Sequence, residues 1–273
     1  MLNFLYNTAV GRIMLKPLVS KGFSDCVGRF MDSKASKILI DSFVKKNDID
    51  LEEFYSDEFN SFNDCFSRKI REDKRPIDMD KDSFISPCDG LLSAYTINKD
   101  MVIPVKQSRY NMSHLLLNPK LAGEFEGGVC LVFRLCVNHY HRYCYLDSGR
   151  KGSNYHINGI YHTVRPVALE RYPVFTENTR EYTVMETDNF DKVVQIEVGA
   201  MMVGRIENHH QDYVFSKGEE KGMFKYGGST VMILIKKGVV DFDRLIFRAT
   251  QSGEELPVKM GQKIGTRSEA KDV

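Results

Sequence analysis

Apolar positions recur at intervals of three and four through the first part of the chain, and at intervals of two through most of the rest. The change falls near residue 80. Leu2, Leu5, Val10, Ile13 and Met14 trace one stripe, with Arg12, Lys16 and Lys21 nearby, which predicts an amphipathic helix. A second helix is predicted over 36–44. A third is predicted over 58–70, where Phe59, Phe62, Phe66 and Ile70 share a stripe. From Asp82 onward the pattern predicts strands at 91–97, 128–137, 142–146, 181–186, 193–198, 201–206 and 230–235. The tail over 257–266 reads as strand, glycine turn, strand. No unit repeats at a fixed period, which excludes solenoids and propellers. The implied fold is α+β, with an N-terminal helical cap over 1–80 on a β-rich sandwich or rolled sheet over 81–273.

Composition narrows the partners. The 38 basic and 37 acidic residues nearly cancel, so bulk charge gives no support to nucleic-acid binding. Six cysteines (Cys26, Cys65, Cys88, Cys130, Cys136, Cys144) are scattered without a C-x-x-C pair, as free thiols in a reducing compartment would be. No apolar run reaches 18 residues, and the N-terminus lacks the pattern of a signal peptide. The expectation is a protein of the cytosol or of the cytoplasmic face of the cell membrane. There the first helix would either pack on its own core or lie in the lipid interface with its basic residues against headgroups.

Candidate chemistry begins at Tyr226-Gly227-Gly228-Ser229-Thr230, which leads into Val231-Met232-Ile233-Leu234-Ile235. A glycine pair frees the backbone from Cβ constraints, and the apolar run reads as a buried strand. Ser229 on such a turn could attack the carbonyl of Gly228. The same residues also describe an ordinary β-turn. His139 and His141 flank Tyr140 in a polar break between apolar runs and share one face of an extended segment. No carboxylate or thiolate at ligand spacing joins them, so a base serves the pattern better than a metal site. Ser229, a histidine and Asp89, from the turn Ser86-Pro87-Cys88-Asp89-Gly90, could form a nucleophile, base and orienter.

Several motifs lie in one order along the chain. They are SPCDG at 86–90, FRL with YHR between 133 and 142, TVRPVAL at 163–169, FTENTRE at 175–181, IEVGAMMVGRIE at 196–207 and KGEEKGMFKYGGST at 217–230. Upstream stand FNDCFSR at 62–68 and Arg75-Pro76-Ile77. The series resembles that of the phosphatidylserine decarboxylases, collinear from about residue 58 to 236. The resemblance implies a proenzyme that cleaves itself between Gly228 and Ser229, leaving a large chain (1–228) and a small chain (229–273) that stay together as a heterodimer. Ser229 becomes an N-terminal pyruvoyl group, the covalent cofactor. That ketone forms a Schiff base with the amine of phosphatidylserine and accepts the electrons left when carbon dioxide departs. His141 is the implied proton donor that returns a proton to the carbon, yielding phosphatidylethanolamine. The implied partners are this lipid and the membrane surface, which the enzyme meets as a peripheral protein, with a homo-oligomer also open.

The chain departs from the family pattern twice. Gly227 stands where leucine is common, which loosens the turn but keeps the nucleophile. Cys144 stands where many members carry a histidine as triad base, so the base falls to His141, with His162 as the substitute. Arg142 and Arg165 are candidates for holding the lipid phosphate. Two other readings stay open: a serine hydrolase with an uncleaved Ser229, and a non-catalytic binding module like a lipoyl domain, from the glycine turn near Gly261.

Overall fold

The computed structural model describes residues 2–100, 102–105, 108–201, 205–226 and 229–269. The chain opens with helices α1 (Leu2–Asn7), α2 (Ala9–Leu18) and α3 (Lys21–Asp32). A 3-10 turn (Lys34–Leu39) leads into α4 (Ile40–Lys46), and α5 (Phe62–Phe66) follows. Strands come next: β1 (Ser83–Ile85), β2 (Gly90–Thr96), β3 (Val102–Val105), β4 (Ser108–Asn111), β5 (Val129–Leu135) and β6 (Arg142–Cys144). Then come β7 (Gly149–Ile157), β8 (Arg180–Thr187), β9 (Lys192–Gly199), β10 (Ile206–Asn208) and β11 (Tyr213–Phe215). The last are β12 (Glu220–Phe224), β13 (Ser229–Ile235), β14 (Val240–Phe242), β15 (Leu256–Val258) and β16 (Lys263–Arg267).

An eight-stranded antiparallel sheet in the order β11-β7-β8-β9-β13-β5-β2-β15 organises the molecule. Alternation along its strands feeds two cores. Cys130, Val132, Met232 and Leu234 face one core, which the N-terminal helices close with Leu5, Tyr6, Leu15 and Val19. Leu131, Phe133, Val231 and Ile233 face the other, beneath two three-stranded sheets, β10-β12-β6 and β1-β16-β14. The fold is α+β, as the change of period implies. Strand β13 is buried on both faces and paired over its full length with β5 on one side and β9 on the other. Each fully buried Val, Ile, Leu or Met there contributes about 1.5–3 kcal/mol.

The helical stripes bury only in part and are cut differently: Leu5 is buried, Val10, Ile13 and Met14 are exposed, and α4 buries none of its residues. The first is two helices, because the Thr8 hydroxyl caps α2 by accepting the Gly11 N–H at 2.9 Å. A Cβ on Gly11 would lie 2.0 Å from the Phe4 carbonyl oxygen, so the close approach of α1 and α2 requires glycine. The helix expected over 58–70 is only the five residues of α5, started by the Ser61 cap. Phe59 and Ile70 are buried from its extended flanks instead, and Ile70 bridges to Phe54. Of the strand expected over 201–206, Met201 is a turn, residues 202–204 lie outside the described ones, and pairing starts at Ile206. Strand β7 carried no apolar alternation, since Arg150, Lys151, Gly152, Ser153 and Asn154 fill its centre.

Between the large sheet and the β10-β12-β6 sheet lies a buried ion pair. Lys221 Nζ is 2.8 Å from Glu197 Oε1 and 2.6 Å from Asn208 Oδ1, and both charged side chains have zero exposure. Substituting Lys221→Met strands the Glu197 charge and is expected to cost about 3–5 kcal/mol in urea unfolding. A loss below about 1 kcal/mol would show that the carboxylate does not depend on this partner.

Candidate active site

Ser229 is the first residue of β13, set opposite Leu135 on β5 and Gly199 on β9. This register turns its side chain to the same face as Val231 and Ile233, toward the segment that precedes β6. There the chain turns back on itself, with the His139 N–H donating to the Cys136 carbonyl at 2.9 Å. That turn delivers His141 to Ser229: Nδ1 stands 3.2 Å from the Ser229 Oγ, and both residues have zero exposure.

The other ring nitrogen fixes the proton. His141 Nε2 is 3.0 Å from the Cys136 carbonyl oxygen, which can only accept, so Nε2 carries the hydrogen. The Nδ1 lone pair is left to accept from the Ser229 hydroxyl. Phe66 stacks on the imidazole at 4.0 Å between centroids. Burial, and then the positive charge of Arg68, push the His141 pKa well below the usual histidine value. At neutral pH the ring is an uncharged base.

Asp89 was expected to orient that base, and the structure gives the job to a backbone carbonyl. The Asp89 carboxylate is held by Arg75, with Nη2 at 2.7 Å from Oδ2 and Nε at 2.8 Å from Oδ1, and by the Met260 N–H at 2.9 Å. It ties the turn at 86–90 to the tail, and it reaches His139 only through its field. His139 itself points its Nδ1 back at the Cys136 N–H, at 3.1 Å.

His162, the substitute base, is not bonded to Ser229. The Tyr6 hydroxyl accepts the Thr163 N–H and is hydrogen-bonded to His162 Nδ1, each at 3.1 Å. Tyr172 stacks on the ring at 4.3 Å, and burial pushes its pKa down to about 4. His162 anchors α1 to the sheet. Cys144 does not replace the family's histidine either, because burial pushes its thiol up to about 12. Arg142 is committed to Glu220 and to the Ser67 carbonyl, each at 2.8 Å. Arg165 is exposed, and its charge reaches the Tyr226 phenol. Gly227 and Gly228, with the bond expected to break, lie outside the described residues.

The model of the phosphatidylserine decarboxylase family matches residues 62–266, a span that contains Ser229, His141, Cys136 and Asp89. The chain belongs to that family. Among its relatives is phosphatidylserine decarboxylase proenzyme 2 of Clostridium acetobutylicum, 45% identical over 265 residues, covering 97% of this chain and 91% of the relative. A phosphatidylserine decarboxylase proenzyme of Ruminiclostridium cellulolyticum is 43% identical over 274 residues, covering 97% and 90%. One of Clostridium perfringens strain ATCC 13124 is 39% identical over 272 residues, covering 97% and 92%. Family membership makes the chain a decarboxylase and sets aside the lipoyl-like module.

Three parts of this decarboxylase site escaped the reading of side-chain types. The Cys136 carbonyl is a backbone atom, which no residue pattern reveals. Asn63 accepts the Tyr226 N–H at 2.7 Å and donates to Asp32 at 2.9 Å, so it pins the chain just before Gly227. Phe66 and Arg68 lay within FNDCFSR, whose collinearity marked the segment without assigning either a task. Because His162 holds α1 and not Ser229, His162→Ala is expected to leave the Ser229–His141 pair working. The change should lower stability by about 1–3 kcal/mol through the unpaired Tyr6 hydroxyl and lost stacking. A gel comparison of chain cleavage, run beside thermal unfolding, checks both halves; lost cleavage with unchanged stability would reverse the assignment.

Proposed function

We propose that this chain is a phosphatidylserine decarboxylase proenzyme that cuts itself between Gly228 and Ser229. The observation that carries the reading is the neutral His141 Nδ1 facing the Ser229 Oγ at 3.2 Å, with its tautomer fixed from behind by Cys136. His141 takes the hydroxyl proton as Oγ attacks the Gly228 carbonyl carbon. The peptide C–N bond breaks as the C–O bond forms, and the proton ends on the freed Ser229 nitrogen. Removal of the Ser229 α-proton then expels the Gly228 carboxylate by β-elimination. The dehydroalanine left at 229 takes up water and loses ammonia.

Burial favours this over a serine hydrolase. In the uncleaved chain a Ser229 with zero exposure can reach its own backbone and cannot meet an external ester, whereas the proposed cut would free the new terminus at 229 to meet the lipid amine. The residues fit the pyruvoyl group that results: position 229 opens a strand, and one neutral histidine faces its side chain. When formed, that carbonyl supplies the electron sink for decarboxylation, by Schiff-base formation with the amine of phosphatidylserine. His141 Nδ1 faces position 229 and, once it has taken up a proton, would return it to the substrate carbon.

Denaturing gels and mass spectrometry test the cleavage. Purified protein is expected as two chains that part after Gly228, whereas Ser229→Ala and His141→Ala stay at the full 31.4 kDa. Decarboxylase activity from an intact 31.4 kDa chain would overturn the reading.

The substrate's acyl chains require contact with a bilayer. No helix among the described residues is long and apolar enough to cross one. The N-terminal helices instead expose Phe4, Val10, Ile13, Met14 and Phe30, with Arg12 and Lys16 alongside. We propose that this face lies in the lipid interface as a peripheral anchor, which makes residues 1–80 the membrane-associating region. Replacing Val10 and Ile13 together by Asp should cut sedimentation with phosphatidylserine vesicles by about tenfold, in line with roughly 0.8 kcal/mol for each buried methylene group. Unchanged sedimentation would place the membrane contact elsewhere.

A further inference from the structure

Arg68 is a buried cation that no step of the proposed reaction uses. Its residue is 3% exposed. Among the described residues no carboxylate lies within ion-pair distance of it. Its guanidinium donates only to backbone carbonyls: Nη1 to Cys65 at 3.3 Å and to Phe66 at 3.5 Å, and Nη2 to Asn138 at 3.3 Å. The group lies 4.3 Å over the Phe54 ring, and Nε has no hydrogen-bond partner among the described residues. Burying a charge without a counter-charge is costly. A methionine would fill the space without that cost, so stability does not explain an arginine here.

Its bonds join the two segments that meet at the base. Cys65 and Phe66 end α5, and Phe66 carries the ring stacked on His141. Asn138 belongs to the turn that places His141 before Ser229. We propose that Arg68 is a positioning residue for His141: it clamps α5 to that turn, seating Phe66 on the imidazole, and sets a fixed positive charge beside the ring. The inference rests on the reading of His141 as the base of self-cleavage.

The groups facing His141 can be named. Arg68 and Phe66 come from α5 and its C-terminal flank, Ser229 from β13 and His139 from its own turn. Cys136 and Phe224 meet it through their backbones, and Asp89 stands behind, on Arg75. Arg68 is the nearby group whose charge does not depend on pH. A positive neighbour disfavours the imidazolium, so the effect has a defined sign. With Arg68 in place, the base stays neutral well into acid, and cleavage slows only below the ordinary histidine range.

The test separates charge from clamp, and both from the cleavage reading. In the uncleavable Ser229→Ala chain, the His141 ring is titrated by NMR with Arg68 intact, Arg68→Met and Arg68→Lys. Arg68→Met should raise the midpoint by about one pH unit, and Arg68→Lys, which keeps the charge, should leave it near the parent value. With Ser229 restored, the acid limb of the cleavage rate should rise with the midpoint in Arg68→Met. Arg68→Lys should cleave more slowly at every pH because one ammonium cannot span three carbonyls. An unmoved His141 midpoint in Arg68→Met, with cleavage slowed equally at every pH, overturns the proposal. If Arg68→Met does not fold, Arg68→Lys decides: wild-type cleavage rates in it overturn the clamp. Failure of cleavage in the parent chain, with the titration shift present, would count against the cleavage reading alone.

Discussion

The structure depends on a single strand held from every side. β13 lies near the middle of the large sheet, with seven paired residues against β5 and seven against β9, and with side chains in both cores. Ser229 is its first residue, so the reactive hydroxyl inherits the rigidity of the whole ladder. A serine on a free loop would spend most of its time away from any base. Here backbone pairing fixes Ser229, and the neighbouring β5 runs directly into the turn that carries His141. The two groups meet because adjacent strands are joined in register.

The same anchoring bears on the products of the proposed cut. The small chain would begin within the strand, and its ladder would stay intact on both edges. Its later segments are also tied in: β15 pairs with β2, and β16 pairs with β1. Met260 donates to Asp89, which Arg75 holds. Cleavage next to such a strand leaves two chains with one hydrophobic core, and no separate association step is needed. Asp89 would thus act as a brace between the two products of the proposed cut, a use of a buried carboxylate that differs from orienting a base.

How much of this was legible in the chain varied with the kind of signal. β13 announced itself because a strand buried on both faces is a continuous apolar run. The cap stripes announced helices but neither which apolar residues bury nor where the helices break: Val10, Ile13 and Met14 are exposed, and Thr8 and Ser61 end or start helices through a single hydroxyl. β7 was invisible, because a strand rich in Arg, Lys, Ser and Asn has no period to read. At the site, Ser229 and His141 were nameable because the collinear motifs carry them, since a serine on a glycine turn alone also describes an ordinary β-turn. Asp89 was assigned by residue type to a role that a carbonyl fills. Orientation by a backbone oxygen leaves no mark on composition or spacing, so only the path of the chain could reveal it.

Burial explains why a carbonyl suits this base better than a carboxylate. A carboxylate behind His141 would stabilise the imidazolium and raise its pKa, and a charged ring could not accept the serine proton. A carbonyl supplies the same directional bond to Nε2–H, and its upward push on the pKa is outweighed by burial and by Arg68. Zero exposure and a nearby guanidinium both act in the same direction. The cost is a weak proton affinity, which would suit the proposed cut, where the base passes its proton on to the departing nitrogen. A strongly basic imidazole would retain the proton and stall the exchange of amide for ester. For the proposed cut, such a histidine would take up the serine proton and release it without holding the charge.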